Sequence, residues 1–198
     1  MCAKKMIDLN KTIDLPDSVI VSGKSYRIHT DYQFFVLFSQ MVKHPHRYEE
    51  YNYLYKGAIP PDLKAGFEAI KDFAQPPREI PRDIGDEPDA ILLDYEIDAD
   101  LIYSAFWQRY GIDLKKRNLH LHWYKFQALL AGLTETKLNK VMEYRAYVPK
   151  ESDNKEYKKY MLQMKAMWQI EKEYSDEEKA AIAAFDSQLN NSGVFNGR

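Results

Sequence analysis

Apolar residues recur along this chain in two rhythms: a short period-two stretch near its start, and helical spacing almost everywhere after it. Residues 18–21 are largely β-branched, Ser22-Gly23-Lys24 is a turn signal, and 25–29 alternates with Tyr26 and Ile28 on one side. Together they read as a β-hairpin. A lone hairpin is marginal in water, so it must lie on helices or pair with another strand. Thr30 or Asp31 can then cap a helix through Phe34, Phe35, Leu37, Phe38, Met41 and Val42, with Pro45 as its stop. A short helix is predicted over 47–55 and ends at Gly57. Pro60-Pro61-Asp62 starts a third, with proline in its first turn and Leu63, Phe67, Ile70 and Phe73 on one face.

Residues 75–89 break the rhythm. Pro76, Pro77, Pro81, Pro88 and Gly85 sit there among charges, and the segment reads as an exposed linker. Asp98 then caps a helix with Leu101, Ile102, Ala105, Phe106 and Tyr110 on its buried face and Gly111 as terminator. A helix over 119–131 carries Trp123, Phe126, Leu129 and Leu130 and closes at Gly132. Thr134 or Thr136 starts a shorter one with Leu138, Val141 and Met142, stopped by Pro149. Asp153 begins a long helix to about residue 174, and Ser175-Asp176-Glu177-Glu178 is a capping box for a last helix over 180–189. The expected fold is α+β and predominantly α: an N-terminal β-hairpin followed by a helical bundle of about six to seven helices. A single domain covers 1–189 with the Pro-rich internal linker near 75–89, and 190–198 forms a flexible tail.

Composition narrows the class. With 45% hydrophobic and 29% charged residues the chain is globular, and its 15 tyrosines suit half-buried surfaces and interfaces. Net charge is −2, so no overall attraction to nucleic acid or membrane is expected. The distribution is uneven. Eight acidic residues and no basic one lie between Asp83 and Asp100, while Arg109, Lys115, Lys116, Arg117 and Lys125 face a single Asp113. These patches can pair within the chain or between copies, or simply form solvated faces. Cys2 is the only cysteine, which rules out an intrachain disulfide and a thiolate-rich metal site. No signal peptide or membrane span is apparent, and a soluble protein of the cytoplasm is expected.

Candidate chemistry is sparse. Asp94, Glu96, Asp98 and Asp100 alternate like calcium ligands, but the sixth and twelfth positions counted from Asp94 are Ala99 and Ala105, where an EF-hand needs glycine and glutamate. His120 and His122, read as helical, point in different directions, and His44-Pro45-His46 also lacks the spacing of a zinc site. No phosphate loop, dinucleotide fingerprint or nucleophile elbow is present, so neither an enzyme nor a cofactor is expected. Lys115-Lys116-Arg117 followed by Trp123-Tyr124-Lys125 resembles a small nucleic-acid patch, which the whole-chain charge opposes. On the long late helix, Tyr157, Met161, Met164 and Trp168 fall at steps of four, three and four. Such a methionine–aromatic stripe can re-pack against different apolar partners, or pack on the domain's own core.

With these residues in place, the chain resembles the bacteriophage gene-product-fifteen family of phages and prophages of Gram-positive bacteria. The likeness lies in V-I-V-S-G-K-S-Y-R-I-H-T-D-Y (19–32) and D-A-D-L-I-Y-S-A-F-W-Q-R-Y-G-I-D-L (98–114). It continues in L-H-W-Y-K-F-Q-A-L-L-A-G-L (121–133) and T-K-L-N-K-V-M-E-Y-R (136–145). The resemblance implies a phage tail morphogenesis factor of the host cell cytoplasm, most like a tail assembly chaperone. Such a protein binds the tape-measure protein and brings tail-tube subunits to it. It implies no catalytic residues. The expected partner-binding set is Trp123, Tyr157, Met161, Met164 and Trp168, with self-association through strand edges or charge patches also open. A minor structural tail or connector component is the alternative, and a nucleic-acid-binding accessory protein a third reading.

Overall fold

Two residues in left-handed backbone set the start of the fold. Ser22 (φ 49°) and Gly23 (φ 79°) make a two-residue turn whose twist matches the strands it joins. The computed structural model, which describes residues 15–43, 47–75 and 91–171, places β1 (Ser18–Val21) antiparallel to β2 (Lys24–Arg27). Val21 lies opposite Lys24 and Val19 opposite Tyr26, so Lys24 already belongs to the second strand. Val19, Val21 and Tyr26 face inward and Ile20 faces out. The far edge of β2 is covered by the chain near residue 55, with His29 N–H donating to the Leu54 carbonyl (2.8 Å) and Lys56 N–H to that of Arg27 (2.9 Å).

The helices follow their caps. Asp31 accepts from the Gln33 N–H and opens α1 (Tyr32–Met41), which buries Tyr32, Phe35 and Phe38. A 3-10 helix (Tyr48–Leu54) buries Tyr51 and Leu54. Asp62 caps α2 (Leu63–Ala74) through the Ala65 N–H, so Pro60 and Pro61 precede the helix instead of entering its first turn. Gly66 in α2 is a contact requirement: a Cβ there would stand 2.7 Å from Pro60 Cγ and 2.9 Å from the Tyr55 hydroxyl oxygen. Then come α3 (Ala99–Tyr110), α4 (Trp123–Ala131), α5 (Lys137–Ala146) and α6 (Lys155–Trp168). Gly111 ends α3 in left-handed backbone at φ 63°, and Thr136 with Asn139 forms a reciprocal capping box on α5. Among the described residues, a hairpin precedes six α-helices and one 3-10 helix, so the architecture is α+β and mainly α.

The core is a continuous stack of rings. Phe126 lies against Tyr32 (centroids 4.9 Å apart), Phe106 (5.1 Å) and Trp123 (5.6 Å), and Trp123 against Phe35 (5.3 Å). The Trp123 indole N–H and the Gln127 amide both donate to the Ala74 carbonyl (2.9 and 3.0 Å), joining α4 to the end of α2. No helix among the described residues is long and apolar enough to cross a membrane.

Four local expectations are corrected. The predicted helix over 119–131 begins only at Trp123. The chain before it is held extended, because Tyr32 N–H donates to the Leu121 carbonyl (2.9 Å) and Trp123 N–H to that of Thr30 (2.7 Å). His120 and His122 are therefore not helical; His120 is exposed and His122 is the cap of α4. Asn154, not Asp153, caps α6; the Asp153 carboxylate instead accepts from the Tyr147 hydroxyl and the Lys150 N–H, both at 2.9 Å. The helix ends at Trp168, whose carbonyl is taken by Arg145, instead of running to residue 174. The proline segment from Pro76, the His44-Pro45-His46 run, the capping box at 175–178, the last helix, the tail and Cys2 lie outside the described residues.

The His122 cap makes stability depend on pH. Its Nδ1 accepts from the Tyr124 N–H (3.1 Å), which leaves Nε2 to donate to the Pro16 carbonyl (3.0 Å). Only the neutral ring can do both. Burial, helped by Lys125 and opposed by Pro16, Asp17 and Asp31, pulls its pKa below 6.5. The unfolded chain thus takes up the proton first, and the contribution is complete above the unfolded value and lost as pH falls through the folded one. Urea midpoints should fall between about pH 7 and pH 5, and His122→Asn, a cap that does not titrate, should flatten that slope. His29, lowered by burial and by Lys56, contributes in the same direction. A slope identical in the variant would remove His122 as the cause.

Candidate interaction surface

The residues singled out from the sequence divide once folded. Trp123 is 3% exposed and belongs to the ring stack. Met161 is buried and Met164 half-buried on the side of α6 that packs on α5, while Tyr157 is exposed and sets its ring edge-on to Tyr147 (5.9 Å). Trp168 is half-buried at the end of that seam, with the Lys137 ammonium 5.1 Å from its ring centroid. The stripe is thus one seam between α5 and α6, and Trp123 lies apart from it.

A concave feature opens where the seam ends. A cleft of about 330 Å³ lies between the start of α3 and the end of α6. Its apolar walls are Ile97, Leu101, Met167, Trp168 and Ile170, and Asp100 and Glu171 add carboxylates. Its most exposed apolar residues are Met167 (74%) and Ile97 (59%). Large apolar side chains held in water beside a concavity mark binding surfaces in preference to interiors.

The cleft also contains a sealed ion pair. Arg145 on α5 and Asp98 at the start of α3 are 3% and 1% exposed and meet through two parallel bonds, Nη1–Oδ2 at 2.7 Å and Nη2–Oδ1 at 2.8 Å. The same guanidinium donates to the carbonyls of Trp168 (Nε, 2.7 Å) and Leu92 (Nη1, 3.0 Å). Its planar fork suits such a site, where a lysine would bring a single point charge. Asp98 occupies the cap position of α3, but its side chain makes no capping bond to that helix. It accepts instead from the Asp94 N–H at 3.0 Å. The expected capping role is corrected: the carboxylate is spent on Arg145.

Asp94 extends the network. It pairs with Lys43 from the turn after α1 and accepts from the Glu96 (2.8 Å) and Ile97 (3.1 Å) N–H groups. Burial alone would raise its pKa, but the bonds from Lys43 and these amides outweigh it and hold the carboxyl below its ordinary value. The alternating acids therefore divide between buried bracing at Asp94 and Asp98 and open surface at Glu96 and Asp100. Among the described residues, no group of three or more His, Cys, Asp or Glu is placed to hold a metal ion.

Sequence reasoning missed Ile97, Met167 and Arg145. Ile97 stands among acids in the pattern, and Met167 lies one position off the stripe. Arg145 gave no signal, because its partner is 47 residues away.

A family model described as Bacteriophage Gp15 protein matches residues 65–170, from within α2 to just beyond α6. That span contains every cleft residue except Glu171, and leaves the hairpin and α1 outside. No curated protein and no solved structure matches the chain. Since the match covers more than half of the 198 residues, the chain belongs to the bacteriophage Gp15 protein family.

Proposed function

We propose that this phage protein is a tail morphogenesis factor: a tail assembly chaperone that binds apolar helical segments of the tape-measure protein and helps recruit tail-tube subunits. The cleft between α3 and α6 supports this reading, because it presents Ile97 and Met167 to water over a floor braced by Arg145 and Asp98. A holdase needs an apolar acceptor that stays open when empty. Arg145 bonds to the Asp98 carboxylate on one wall and the Trp168 carbonyl on the other, which fixes both walls in place, and an unbranched methionine at the rim adapts to different side chains. One leucine-sized side chain entering such a cleft contributes about 1.5–3 kcal/mol, or roughly 10- to 100-fold in affinity.

Tape-measure fragments co-expressed with the chain give the test. Wild type should keep them soluble, and an Ile97→Asp, Met167→Asp double variant should lose that effect with an unchanged far-ultraviolet circular dichroism spectrum. Both positions are exposed, so they separate binding from folding, whereas Met161 is interior and would confound the two. Equal solubilisation by both proteins would remove the cleft from the reading. Stoichiometric presence in purified virions would replace the chaperone reading by a minor structural or connector component.

A further inference from the structure

The cleft between α3 and α6 has a sign as well as a shape. Two of its lining residues, Asp100 in the first turn of α3 and Glu171 just beyond α6, carry exposed carboxylates. Among the described residues neither makes an ion pair. Asp100 accepts from the Leu101 N–H with Oδ1 (2.9 Å), which leaves Oδ2 for an incoming donor.

The other charges at the cleft cancel. Arg145 is the cation of the lining, and it is spent on Asp98 through two bonds at 2.7 and 2.8 Å. Lys137 reaches the Trp168 ring (5.1 Å) but does not line the cleft. Two helix ends also meet there. The start of α3 carries about half a positive charge and the end of α6 about half a negative one, so their effects oppose. The sign of the cleft is therefore set by the two free carboxylates.

We infer that the cleft selects by charge: it takes apolar side chains from helical segments that carry lysine or arginine beside them, and turns away segments with acids in those places. Asp100 and Glu171 are the residues that determine this specificity. The inference rests on the cleft being the acceptor for tape-measure helices, and it names which of their segments are taken. On a helix, residues three or four positions apart share a face, so one segment can seat an apolar anchor against Ile97 and Met167 and bring a cation to the rim. Lysine and arginine suit the place because their stems lie along apolar wall while their heads reach the carboxylates. Repulsion matters as much as attraction, since an acid in that position would meet two like charges with no cation to offset them. Both carboxylates stand in water, so the selectivity is modest and salt-sensitive.

Nuclear magnetic resonance on the full chain with methyl-labelled methionine tests this, the Met167 signal reporting occupancy of the cleft. The probes are two alanine-rich helical peptides of equal length, each with one leucine, flanked on its face by lysines in one and by glutamates in the other. The lysine peptide should bind about 3- to 10-fold more tightly at roughly 50 mM salt, and the preference should fall below about twofold at roughly 500 mM. Asp100→Asn, Glu171→Gln should bind the two peptides alike. Glu49→Gln, Glu50→Gln, the same change in net charge on the exposed side of the 3-10 helix and outside the lining, should keep the preference. Three results would each overturn the inference and leave the cleft as an apolar acceptor: equal binding by wild type, a preference that survives Asp100→Asn, Glu171→Gln, or one lost equally in Glu49→Gln, Glu50→Gln. A Met167 signal that neither peptide moves would remove the acceptor itself, and the inference with it.

Discussion

Replacing Arg145 by alanine is expected to cost the fold about 3–5 kcal/mol, the range for breaking a buried ion pair from one side. The lost attraction is the smaller part. Asp98, 1% exposed, would be left with only the Asp94 N–H as a partner, and the carbonyls of Leu92 and Trp168 would lose a donor. Arg145→Lys should recover little, because four bonds in three directions need the guanidinium fork. The diagnostic is the pair: Arg145→Met with Asp98→Leu should be less damaging than the two single changes summed, since no orphaned charge remains. Urea unfolding monitored by tryptophan fluorescence measures all four proteins. A loss below about 1 kcal/mol for Arg145→Ala would place the pair among solvated surface bridges and deny it any role in fixing the cleft walls.

Arg145 also marks the limit of what the sequence discloses. Features specified within one turn of chain were legible: the Ser22-Gly23 turn, a cap at Thr30 or Asp31 and another at Thr134 or Thr136, of which Asp31 and Thr136 serve, and the terminator Gly111. Each rests on neighbours a few residues away, where residue type alone decides. Features fixed by distant partners were not. The start of α4 was misplaced by four residues because the carbonyl of Thr30 and the N–H of Tyr32 hold the preceding segment. The end of α6 was misplaced because Arg145 binds the carbonyl of Trp168. Asp98 looked like a cap because it stands where caps stand, and only the fold brings in the competing cation.

The candidate surface followed the same division. Helical spacing correctly grouped Met161, Met164 and Trp168 on one side of α6, but spacing does not say whether a neighbouring helix already occupies that side. Here α5 does, and the most exposed apolar residues beside the cleft lie off the stripe, Met167 and, across the cleft, Ile97.

Phe126→Ala should be the most damaging apolar change, at about 3–5 kcal/mol, as for other fully buried aromatic truncations. Its ring is nearly parallel to three others, Tyr32 at 16°, Phe106 at 17° and Trp123 at 16°, so one deletion removes a partner from α1, α3 and α4 together. Tyr95 also borders it, at 6.1 Å, and the void would adjoin rings that cannot fold inward to fill it. Trp107→Ala supplies the contrast, a larger side chain removed from an exposed position on α3 at a cost within about 0.5 kcal/mol, as at other solvated positions. If both variants lost the same stability, α3 would bury its outer side in the monomer.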